Sequence, residues 1–210
     1  MQTSIINKES KIICLATNND HKAEEFADLA GGVFKFITIK ELMQETGKPI
    51  SWDETGATFE ENAKIKADVL AQYTDLPILA DDSGLLVEVL NGEPGVYSSS
   101  YGGMEGNSLR NMNMLISKLK KLPQQQFLAK FVCCLWYREG DNTTKTFLGE
   151  CRGEIILTPQ GQQGFGYDPI FLVEGSTKTL AEMTLDEKNK ISHRTQAFNQ
   201  WLGWWKGRTS

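Results

Sequence analysis

The sequence predicts an α/β fold on a mixed β-sheet, and two patterns carry that prediction. In the first half, apolar strand-like runs alternate with segments of helical period, the arrangement that links parallel strands. In the second half, apolar runs follow one another across short polar turns such as Glu139-Gly140-Asp141-Asn142, the arrangement of hairpins.

Residues 11–16 (KIICLA) read as the first strand. They run into Thr17-Asn18-Asn19-Asp20-His21-Lys22, where Asn19 is a good N-cap for a helix that Gly31-Gly32 would end. Residues 33–39 read as a second strand and residues 47–56 as a loop. A helix follows from Phe59 to about Tyr73, opened by the capping box Thr58-x-x-Glu61. The apolar run Ile78-Leu79-Ala80 reads as a short strand stopped by Asp81-Asp82-Ser83-Gly84. Beyond a glycine-rich stretch, Asn107 or Ser108 caps a helix with Leu109, Met112, Ile116 and Leu119 on one face. Residues 127–137 are apolar at both parities, as in a strand covered on both faces. Strands are then expected over 143–149, 151–157 and 170–173, and a last helix carries Phe198, Trp201, Leu202 and Trp205.

No linker divides the 210 residues, so residues 1–210 read as one domain, with 1–10 a loose N-terminal extension. The net charge of −5 argues against broad nucleic-acid binding, which needs a basic surface. No apolar run approaches the ~18 residues of a membrane span, and the N-terminus lacks the apolar core of a signal peptide. Cys14, Cys133, Cys134 and Cys151 have no metal-site spacing and read as reduced thiols of a cytoplasmic protein, with Cys151 open to exposure.

Four features break local rules. Lys22 stands in the first turn of a helix, where the dipole disfavours a cation; a phosphate bound at the preceding turn would offset that, and so would simple solvation. Lys66 falls in the middle of the apolar stripe of its helix, with Ala63 and Leu70 beside it. It either snorkels to water or points into a site that holds negative charge. Asp81-Asp82 lies at the end of a buried strand, where open α/β sheets build sites, and only one of two adjacent side chains should face a given cavity. A carboxylate there suits Mg²⁺; an Asx turn before Gly84 is the structural alternative. Ser192-His193-Arg194 opens the last helix with two potentially cationic residues. Phosphate-loop, dinucleotide-loop and serine-elbow motifs are all missing.

Taken in order, these segments resemble the inosine triphosphate pyrophosphatase family. The matching residues are Thr17-x-Asn19-x-x-Lys22, Glu54-Thr55-Gly56, Phe59-x-Glu61-Asn62-Ala63-x-x-Lys66 and Ala80-Asp81-Asp82-Ser83-Gly84-Leu85. Next come Pro94-Gly95-Val96-Tyr97-Ser98, Gly164-Phe165-Gly166-Tyr167-Asp168-Pro169-Ile170-Phe171 and Lys188-x-x-Ile191-Ser192-His193-Arg194. Together they extend over nearly the whole chain.

The resemblance implies a long central mixed β-sheet flanked by helices that form two lobes with a cleft between them, in a homodimer. It implies Mg²⁺-dependent hydrolysis of inosine, deoxyinosine and xanthosine triphosphates to monophosphate and pyrophosphate, with no nucleic-acid or membrane partner. By residue match, Asp82 is metal ligand and proton acceptor, and Glu54 is the second metal carboxylate. Lys22 and Lys66 match phosphate contacts, with Thr17, Asn18, Asn19, Asp20 and His21 along the same tail. Phe165 matches the ring that stacks on the base, and Lys188, His193 and Arg194 match residues near base and sugar. Ser83, Gly166, Tyr167 and Asp168 lie in the same segments and are expected to bind substrate. Two positions depart from the pattern. Asn18 replaces a glycine, which leaves the loop less free to adopt positive φ. Ser100 stands where relatives often carry arginine. On the residues alone, a related pyrophosphatase acting on other bases and a nucleotide sensor without turnover both stay open.

Overall fold

The structure, a computed structural model, describes residues 11–208. The expected extension at residues 1–10 therefore lies outside the described residues. A six-stranded mixed sheet runs through the molecule in the order β2-β1-β3-β4-β5-β6. Strands β1 (Lys11–Ala16), β2 (Phe34–Thr38) and β3 (Ile78–Val87) are parallel at one side. Strands β4 (Leu128–Glu139), β5 (Thr143–Ile155) and β6 (Phe171–Val173) continue antiparallel from β3. The mixed α/β sheet is thus as expected, with the parallel pairs early and the hairpins late.

Helices cover both faces. On one face, α1 (Asp20–Ala30) and α6 (His193–Arg208) pack Phe26, Phe198 and Trp201 onto Leu15, Leu79 and Leu135. On the other, α2 (Ile39–Thr46) and α3 (Phe59–Leu70) pack Leu42, Ala63 and Ala67 onto Cys14, Ala16 and Ala80. At the far end of the sheet, α4 (Ser108–Leu119) joins Leu85, Phe131 and Phe171 in a third cluster, the base of the second lobe. A short α5 (Leu185–Ile191) precedes α6. Among the described residues no helix is long and apolar enough to cross a membrane.

Several expectations fail for identifiable reasons. Asp81 and Asp82 do not end a strand: they lie inside the ten-residue β3, which runs on to Val87 and is paired throughout with β4. What ends is β1, whose last residue Ala16 pairs with Ala80. Asp81 is therefore the first β3 residue beyond the β1 edge. The expected break at Glu150 is also absent, since β5 runs unbroken from Thr143 to Ile155. Helix α2, opened by the capping box of Thr38 with Glu41, takes Ile39 from the expected strand and fills residues 40–46, to which no element was assigned. Leu109 is 64% exposed, and Leu115 takes its place on the buried face of α4.

Gly149 explains how α6 can lie so close to the sheet. A Cβ at that position would collide with the His193 carbonyl oxygen and the Ala197 amide. Any other residue would push away the helix start that carries His193 and Arg194.

Candidate active site

A cleft of about 440 Å³ opens off the end of β1, between the two lobes. That size suits a small-molecule ligand. The turn from β1 into α1 supplies Thr17, Asn18, Asn19, His21 and Lys22, and α3 supplies Lys66. Strand β3 gives Asp82 and Ser83, and the loop before α3 gives Glu54. The far wall carries Phe165, Gly166, Tyr167 and Asp168, with Lys188 from α5 and His193 and Arg194 from α6. Every residue expected in the site lines this cleft except Asp20, whose carboxylate turns outward to Lys40 at 2.7 Å. Asn18 does not adopt a positive φ, so the missing glycine imposes no strain.

The alternation of β3 splits the two aspartates, as strand geometry demands. Asp82 points to the α3 face, where Lys66 Nζ lies 2.7 Å from its carboxylate and Asn62 Nδ2 donates at 3.3 Å. The same Lys66 ammonium sits 3.0 Å from Glu54. Lys66 therefore points into a charged site and does not snorkel. It is 4% exposed, and although burial opposes its charge, Asp82 and Glu54 outweigh that and hold its pKa above the ordinary value. Burial raises the pKa of Asp82, and Lys66 only partly offsets it. Asp82 is thus a stronger base than a free aspartate. Asn62 also accepts from the Gly56 amide at 2.7 Å, which ties the Glu54 loop to Asp82.

Asp81 points to the α1 and α6 face and is fully buried. Lys22 Nζ lies 2.5 Å from one oxygen, and the Cys133 thiol donates to the other at 3.1 Å. Burial would raise its pKa, but Lys22 and Arg194 prevail and hold it well below the usual carboxylate range. The dipole penalty on Lys22 is therefore offset within the protein. All four cysteines are buried and free, Cys151 among them at 4% exposure.

At the far wall a buried charge cluster supports Phe165. Lys188 Nζ lies 2.8 Å from both Glu25 and Asp168, and Arg194 pairs with Glu25 and reaches Ser83 at 3.2 Å. Asp168 also accepts from the Phe165 amide at 3.0 Å, which fixes the loop. Glu25 escaped the sequence reading, as did Trp52 and Glu105, which also line the cleft. A buried glutamate on α1 carries no local signal, because its partners lie 163 and 169 residues away.

His193 is not a second cation. Its ring stacks on Phe131, with centroids 4.9 Å apart, and burial, then Arg194, push its pKa well below 6.5. An unfolded histidine binds a proton first as pH falls, so this residue stabilises the fold above pH 6.5 and loses that contribution below it. The expected slope is about 1.4 kcal/mol per pH unit for one proton. Urea unfolding of wild type and His193→Gln between pH 8 and pH 5 should differ by that slope below pH 6.5. Parallel curves would place the proton uptake elsewhere.

Comparison with known proteins agrees with this geometry. The sequence pattern of the Ham1 family matches residues 13–204. The dITP/XTP pyrophosphatase of Bacillus subtilis (strain 168) is 42% identical over 196 residues, covering 93% of this chain and 96% of that one. The dITP/XTP pyrophosphatase of Staphylococcus epidermidis (strain ATCC 35984) is 44% identical over 188 residues, covering 88% and 91%. The Ham1 protein of Staphylococcus aureus has a solved structure that superposes with a TM-score of 0.82 at 38% identity, covering 94% of this chain and all of that one. With a family pattern that spans both lobes and relatives this similar along nearly their whole length, the chain belongs to the Ham1 family.

Proposed function

We propose that this protein hydrolyses the triphosphates of inosine, deoxyinosine and xanthosine to the monophosphate and pyrophosphate, with Mg²⁺ as cofactor. The observation that carries the reading is the buried Lys66 held between Glu54 and Asp82, in the same cleft as the Phe165 ring. One ammonium within 3.0 Å of both carboxylates means that those carboxylates converge. Such a pair fits Mg²⁺, which takes one or two carboxylates and leaves its other positions to water and substrate phosphates. No group of three or more His, Cys, Asp or Glu side chains gathers among the described residues, so phosphate oxygens would complete the set. When bound, the ion neutralises phosphate charge and aligns the α–β linkage.

The chain's own groups do the rest. Asp82, made more basic by burial, accepts the proton of the attacking water. Lys22 and Lys66 trade carboxylate partners for phosphate oxygens as the triphosphate enters, and the Thr17-to-Lys22 turn at the start of α1 cradles the tail. Phe165 stacks on the base, while Lys188, His193 and Arg194 flank base and sugar. The product side of this activity clears deaminated purines from the nucleotide pool. Reduced, buried thiols support a cytoplasmic location. We further propose a single domain that works as a homodimer.

The test is pyrophosphate release from xanthosine triphosphate with Mg²⁺, with a chelator, and with Mg²⁺ restored. Loss and recovery are expected, and activity that survives the chelator would remove the metal from the reading. A chain that binds the nucleotide without turnover would be a sensor. A preference for pyrimidine triphosphates would make it a pyrophosphatase of other bases.

A further inference from the structure

Among the residues of the β1–α1 turn, His21 is the one that reaches the base end of the cleft. Its ring lies against Phe165, with centroids 5.2 Å apart and planes inclined by only 14°. The matched segment places His21 on the phosphate tail, yet its ring covers the surface on which the base is proposed to stack. A purine slipped between the two rings would hold them about 7 Å apart, twice the ~3.5 Å contact distance. The stack of His21 on Phe165 therefore has no room for a base between its rings, and it must open before a base can lie there.

The two partners differ in freedom. Phe165 is anchored by its amide on Asp168 at 3.0 Å, with Lys188 Nζ 5.0 Å and the Arg194 guanidinium 5.9 Å from its ring centre. The His21 side chain is 65% exposed, and its Nδ1 lies 3.8 Å from the exposed Glu24 carboxylate. His21 is thus the less constrained of the two rings. A change of χ1 from one staggered well to another would swing such a ring clear by several ångströms rather than lift it by the thickness of one base.

We infer that His21 is an internal placeholder for the base: it covers the Phe165 platform in the free protein and swings out when a nucleotide arrives. This inference rests on the proposed base-stacking role of Phe165. It makes His21 a residue that sets affinity for every base alike, because each base offers a π-face.

The test compares wild type, His21→Ala and His21→Phe for KM with xanthosine triphosphate and Kd for xanthosine monophosphate. An aromatic pair of this kind corresponds to about a two- to tenfold change in affinity. His21→Ala is expected to lower KM and Kd by that factor, and His21→Phe to raise both, with the change in KM rather than kcat. Weaker binding by His21→Ala would show that the ring clamps the base instead, and unchanged binding would show the contact to be idle. Either result overturns the inference while wild-type turnover stands. A wild type that releases no pyrophosphate from xanthosine triphosphate would overturn the functional reading and the placeholder with it.

Discussion

Asp82→Asn is expected to lower kcat for pyrophosphate release by about 10²–10⁴-fold, the usual cost of losing a general base. The substitution keeps the shape but removes both the charge beside Lys66 and the raised basicity that burial confers. Loss of a metal carboxylate would add to the deficit. The neighbouring change separates chemistry from folding. Asp81 faces the opposite side of β3 and is the buried partner of Lys22. Asp81→Asn should therefore cost less in kcat and more in stability, on the order of 3–5 kcal/mol for breaking a buried pair. Steady-state kinetics and urea unfolding of both variants give the comparison. Equal, small kinetic losses from the two changes would sink the role given to Asp82.

The second large effect concerns the choice of base. Wild-type kcat/KM should favour inosine and xanthosine triphosphates over adenosine triphosphate by up to ~10⁴–10⁵, the range open to sites built on polar matching. A 6-keto oxygen accepts hydrogen bonds, whereas the 6-amino group of adenine donates them. Arg194 offers donors only, and it lines the cleft beside Ser83. A 6-keto base matches such a wall, and a 6-amino base would set donor against donor. Guanine shares the 6-keto group, so discrimination against it should be weaker. Arg194→Ala should narrow the gap between inosine and adenosine substrates, mainly by losing the former. Because Glu25 loses one of its two cations, the variant's folding must be checked alongside. Comparable wild-type kcat/KM for both substrates would refute the matching, and a variant with full selectivity would move recognition away from Arg194.

What was legible in the sequence was local or in conflict with its surroundings. Asn19 and the pair Thr58 and Glu61 cap the helices they were expected to cap, because an N-cap is written within four residues. Lys66 stood out because a charge on an apolar stripe needs a partner, and its partners are the cleft carboxylates. The errors lay where distant residues override local preference. Asp81 and Asp82 look like a turn, yet they continue a strand because Lys22, from 59 residues away, and Lys66, from 16, neutralise them. Gly149 and Glu150 look like a break, yet the glycine makes room for α6 and the glutamate pairs with Lys130 on the neighbouring strand. The outward turn of Asp20 and the reach of His21 to Phe165 were invisible for the same reason: a matched segment fixes which turn approaches the cleft but not where each side chain goes.

The position of Asp82, Glu54 and Lys66 relative to the Phe165 platform makes a claim about one bond. If the base stacks on Phe165 and Glu54 and Asp82 hold the metal at the phosphates, as proposed, attack is expected at the α–β linkage. Phosphorus NMR of the products from xanthosine triphosphate reads that bond directly. Xanthosine monophosphate and pyrophosphate, appearing in equal amounts, are the predicted products; xanthosine diphosphate and orthophosphate would contradict the assignment.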